Sequence, residues 1–155
     1  MFAALAFAPL APLSGQTAVA PAVAPAVDYS TALPIGGSWT YAARPDGSEA
    51  TFVGTTGQPQ LVIQCTRATR RVSIAKPASG AAPFLSIWTS SESRTAPAGF
   101  NPATARLTAD FAAHDSLLDA IAFSRGRIAV RIGGAPALVV PPWGEIARVI
   151  EDCRV

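Results

Sequence analysis

The sequence predicts a mainly β fold, a single antiparallel β-sandwich or strongly curved sheet, with a short helix near 116–124 and a C-terminal helix over 143–153. Three observations carry this. Between Trp39 and Phe111, apolar residues alternate with polar ones at period two, the mark of half-buried strands. Helical spacing replaces that alternation after Ser116 and again after Pro142. Turn formers, among them Pro45-Asp46-Gly47 and Gly133-Gly134, separate the runs.

Taken in order, Trp39 and Tyr41 alternate with Ser38 and Thr40, and Arg44-Pro45-Asp46-Gly47 turns the chain into Glu49–Val53 as a hairpin. Gln60–Thr66 places Leu61, Ile63 and Cys65 on one face. Arg71–Lys76 follows with Val72 and Ile74 inward. Phe84–Thr89 is apolar on both faces and is expected as a central strand. Ala105–Phe111 turns Leu107, Ala109 and Phe111 inward. Ser116-Leu117-Leu118-Asp119 then resembles a capping box, and Arg125-Gly126 ends the helix. Arg127–Ile132 is a strand with Ile128, Val130 and Ile132 inward. Ala137–Val140 follows as an edge strand, since Pro136 removes a ladder donor. In the last helix Trp143, Ile146, Ala147, Ile150 and Cys153 form one stripe. That makes about eight strands and two helices, with no internal repeat.

The 155 residues have room for one domain, and with half of them hydrophobic and 14% charged the chain is not a disordered one. Residues 1–15 form an apolar run ending in small residues, like the core and tail of a secretion signal. No Lys or Arg precedes Arg44, so the positive start of such a signal would have to come from an upstream start codon. The bland alternative is an Ala/Pro tail that never meets a translocase. Pro9, Pro12, Pro21 and Pro25 argue against a transmembrane anchor. Residues 16–34 are an Ala/Pro-rich linker, and the domain is expected over 35–155. A net charge of +2, from 12 basic and 10 acidic residues, excludes an ordinary nucleic-acid module.

Cys65 and Cys153 are the only cysteines, and both are expected to face the interior. An exported chain would join them, closing a loop of about ninety residues; a cytosolic one would keep two buried thiols. Two cysteines and one distant histidine supply too few ligands for a metal, and no cofactor fingerprint is present. His114-Asp115-Ser116 spells a triad in a row, but adjacent residues do not face one another as a triad requires. A strand-to-helix connection capped by Asp115 or Ser116 is the expectation. The ten carboxylates form no catalytic pair. No catalytic residue is assigned.

Arg67, Arg70 and Arg71 cluster on a hairpin tip, where they contact an anion or acidic partner or simply remain solvated. Arg127 and Arg131 would extend that patch if the strands are neighbours. Trp39, Trp88 and Trp143 all occupy core-compatible positions.

Over about 60–154, the order LVIQC, RRVSIAK, SIW, SLLDAI, RIAVRI and PPWGEIARVIEDC resembles the invasion-associated locus B family and related small periplasmic proteins accompanying type VI secretion. The Pro-Pro-Trp entry to the last helix and the alanine-rich linker depart from that pattern. The resemblance implies a secreted or periplasmic β-sandwich in which Cys65 pairs with Cys153, and it carries over no catalytic set. The expected function is therefore a non-enzymatic interaction module of the periplasm or cell exterior, meeting an envelope protein through a sandwich face or the arginine tip. The alternative is a small-molecule or lipid carrier with a pocket between sheets. A hydrolase using His114 stands third.

Overall fold

A four-strand meander leads the fold. β1 (Gly37–Arg44) turns into β2 (Gly47–Gly54), which passes to β3 (Pro59–Thr66) and, after a 3-10 turn at Arg67–Thr69, to β4 (Arg71–Pro77). Gly47 is required where the first turn closes. A Cβ there would stand 2.0 Å from the Cys65 carbonyl oxygen, so any side chain would push β2 off β3. The computed structural model describes residues 27–155; the signal-like segment 1–15 and residues 16–26 of the linker lie outside them.

The chain then crosses to a second layer with β5 (Phe84–Trp88) and β6 (Ser93–Pro97). It turns a corner at Ala98, whose N–H donates to the Pro83 carbonyl, and returns to the first layer as β7 (Gly99–Asn101) and β8 (Arg106–Ala112). After α1 (Ser116–Ala122) come β9 (Ile128–Ile132), β10 (Leu138–Val140) and α2 (Gly144–Asp152). The large sheet runs β1-β2-β3-β4-β8-β7 and the small one β10-β9-β5-β6, with every pairing antiparallel. The fold is thus mainly β, an open sandwich of two antiparallel sheets.

Register explains the core. Phe52, Leu61, Ile63, Cys65, Val72, Ile74, Ala109 and Phe111 face one another across four strands and are all buried. The small sheet meets the large one through β5 and β8, and α2 lies on the inner face of β1, β2 and β3. Ile146, Val149 and Ile150 of α2 are fully buried, each stabilising the fold by roughly 1.5–3 kcal/mol. The Cys65–Cys153 disulfide fastens that helix to β3, with a Cα–Cα separation of 5.4 Å. Trp39 supports the same corner: its indole N–H donates to the Pro141 carbonyl at 2.7 Å, and its ring meets Phe52 edge-on.

Several expectations change. Two strands, β6 and β7, join the eight read from sequence. Trp143 is not on the buried stripe; it precedes α2 at the N-cap position and is 44% exposed. Phe84–Trp88 is central in its sheet, yet only Leu85 and Ile87 are buried, while Ser86 and Trp88 point to the outer face. The packed region also reaches ahead of Ile35. Tyr29 meets Trp88 at 6.1 Å, and the Ile35 N–H donates to the Val139 carbonyl.

The disulfide spans 88 residues, so the Cys65→Ala, Cys153→Ala double variant should lose about 3–5 kcal/mol of unfolding free energy in urea titration. A loss below about 1 kcal/mol would mean that apolar packing alone retains α2.

Candidate functional site

The arginine tip forms where β3 passes to β4, and Arg67, Arg70 and Arg71 are all exposed there. Arg70 holds a left-handed conformation with φ 49°, which turns its carbonyl toward the Ala113 N–H. The Arg71 guanidinium donates back to the Asp110 carbonyl at 3.0 Å. The tip stays apart from Arg127 and Arg131, because β4 is flanked by β3 and β8 while β9 belongs to the small sheet. The extended basic patch does not form. Arg127 instead donates to the Ser30 and Ala32 carbonyls, fastening the entering chain.

His114-Asp115-Ser116 is a connection. His114 is exposed and hydrogen-bonds to no other described side chain. Asp115 caps α1, accepting the Leu117 N–H at 2.9 Å. Its other partner is Arg94, which lies 2.6 Å from Asp115, also grips Glu92, and reaches the Ser116 hydroxyl. Burial works against the Arg94 charge, but the two carboxylates hold its pKa above the ordinary arginine value. Arg154 does similar work on the same helix, joining it to the end of α2 by binding Asp119 at 2.8 Å and the Ala113 carbonyl at 2.9 Å. Neither arginine stood out in sequence, since both act across long separations.

Beside the disulfide, the Tyr41 hydroxyl donates to Asp152 at 2.8 Å while the Arg148 guanidinium lies 3.8 Å over the Tyr41 ring. Burial alone would raise the Asp152 pKa. The net displacement is downward, because the Ser48 and Tyr41 hydroxyls and the Arg148 and Arg67 charges favour the carboxylate. Ser48 Oγ is nevertheless buried outside hydrogen-bonding geometry with any partner, so its influence on Asp152 is that of a nearby dipole.

Two open grooves and the longest of the sheet edges remain. A groove of about 280 Å³ on the outer face of the small sheet is lined by Tyr29, Ser86, Trp88, Thr95 and Arg131. Another, of about 400 Å³, lies between the loop after Lys76 and the Gly133-Gly134 turn. Desolvation lowers the Lys76 pKa there. The edge is β1: eight residues long, paired only with β2, and exposed at every side chain except Trp39 and Tyr41. Among the described residues no third strand covers its outer side.

No group of three His, Cys, Asp or Glu side chains among the described residues is arranged to hold a metal ion. No described helix is long and apolar enough to cross a membrane. The class the fold defines is an open β-sandwich with one disulfide stapling a terminal helix to the larger sheet. Comparison with protein-family models, with curated proteins and with solved structures found no match.

Because the folded-state Asp152 pKa is depressed, its contribution is fully present above the unfolded value and disappears as pH falls through the folded one. Stability in urea should decline as pH falls below about 4, and Asp152→Asn should flatten part of that decline. The difference should stay below about 1 kcal/mol, since the carboxylate is partly exposed. Identical acid slopes for both proteins would remove Asp152 from the acid response.

Proposed function

We propose that this chain is an exported, non-enzymatic interaction module of the bacterial envelope, and that it receives an extended segment of a partner protein along β1. The observation that carries this reading is the bare edge itself. A strand of eight residues presents unpaired backbone donors and acceptors on one side, which is the template for strand addition. Natural edges are usually protected by lysine, proline or a bulge. β1 offers Ser38, Thr40, Ala42 and Ala43 instead, and its only charge, Arg44, is paired with Glu49 at 2.8 Å. The bulge near this edge lies between β2 and β3, where it leaves β1 straight against β2 in unbroken register.

Export is supported by the disulfide, which persists in oxidising compartments, together with the signal-like residues 1–15. The likeness of the LVIQC to PPWGEIARVIEDC pattern to the invasion-associated locus B family points to the same compartment. The carrier alternative has less behind it. Leu85, Ile87, Ile74, Leu107 and Val130 fill the space between the sheets, and both grooves open outward.

A photo-crosslinking residue at Ala42 should trap a partner in intact cells, whereas one at Thr108, across the same outer face, should not. Adding Thr40→Lys should abolish the Ala42 adduct without altering the thermal midpoint. Equal adducts at both positions, or an Ala42 adduct indifferent to the lysine, would exclude strand addition at this edge.

A further inference from the structure

We infer that the groove on the outer face of the small sheet binds an aromatic carboxylate, with Arg131 holding the carboxylate and Trp88 the ring. The site lies on the sheet that does not contain β1, so it stands or falls independently of strand addition. Its construction follows from register. Arg131, Ser86 and Thr95 face one another across β9, β5 and β6, and Ala129, Trp88 and Ser93 form the neighbouring row. Alternation directs all six to the face away from the core. A buried alanine between larger neighbours leaves a depression at Ala129, and Trp88 stands beside it as one wall. Tyr29, brought in by the segment that Arg127 fastens, packs edge-on to Trp88 with an interplanar angle of 73°. A planar ring meets the same offset or edge-on preference from this pair that the two rings show each other.

Arg131 supplies the polar end. Arg44, Arg94 and Arg154 are paired with carboxylates, but Arg131 has no carboxylate within ion-pair distance among the described residues. A half-buried guanidinium in that condition is a fork for a carboxylate. Ser86 and Thr95, 3.0 Å apart, add hydroxyls alongside it. Asp28 in the adjoining entry segment keeps its charge, and its two oxygens accept from the Ser30 N–H and hydroxyl. The cavity of about 280 Å³ suits one or two rings and a carboxylate, at the small end of ligand sites. The same chemistry is presented by a free aryl acid and by a polypeptide ending in an aromatic residue.

The test follows the three tryptophan indole N–H resonances of the oxidised full chain by NMR. The probes are indole-3-acetate, N-acetylglycyl-tryptophan with a free carboxylate, and the amide of that peptide. At least one acid should shift the Trp88 resonance saturably, with a dissociation constant of about 1 mM or below, and the amide should bind at least about tenfold more weakly. Arg131→Gln should weaken acid binding by about tenfold or more and leave the amide unchanged, with Arg131→Lys between them. Saturation by the peptide acid alone assigns the site to chain termini, and saturation by indole-3-acetate alone assigns it to free acids. Equal affinity for acid and amide, indifference to Arg131→Gln in a variant with unchanged spectra elsewhere, or no saturation at about 10 mM would overturn the assignment.

Discussion

The inner face of the large sheet is wider than the small sheet that covers it. β5 reaches β8, but over β1, β2 and β3 the cover is a nine-residue helix. A helix of that length is marginal alone in water, so its place depends on three buried aliphatic side chains and on one covalent bond to β3. The Cys65–Cys153 link is therefore the constraint on which the architecture rests. It turns what would be a half-covered sheet into a sealed core. The cost is a tight corner in which Gly47 admits no side chain and Ser48 Oγ is left without a partner.

Arginine does most of the remaining long-range joining. Arg94 couples the edge strand β6 to the start of α1, Arg154 couples the end of α2 to Asp119 of α1, and Arg127 holds the entering segment. Each makes several donations from one planar group, which a lysine ammonium does not reproduce in the same geometry. With a single lysine in the chain, guanidinium groups are the means by which helices, edges and the entry segment are drawn together. Residues that looked like chemistry, above all Asp115 and Ser116, are absorbed by this framework.

Strands with apolar residues at alternate positions were legible because the period of two is a local property. Leu61, Ile63 and Cys65, or Leu107, Ala109 and Phe111, announce an inward face without knowledge of partners. β6 was not legible, since it buries only Ala96 and owes its conformation to pairing with β5. β7 is three residues long and carries no pattern. Trp143 fits helical spacing but stands at the N-cap, before the stripe becomes continuous. Trp88 is apolar like its neighbours and occupies the alternate face, so composition alone placed it in the core. The two candidate binding features were hidden for a related reason. Both the bareness of β1 and the convergence of Arg131 on Trp88 are consequences of strand order, which no short window of sequence contains.

The staple also imposes a schedule on biogenesis. β3 is made 88 residues before the sulfur that secures its cover, so a nascent chain carries a finished but uncapped apolar ribbon through most of its synthesis. Such a ribbon is sticky, and intermediates of this kind aggregate unless they are shielded. Until that bond closes, the inner face of β1, β2 and β3 is the surface on which misassembly is most readily seeded. The order in which its two halves appear makes that exposure a property of the fold.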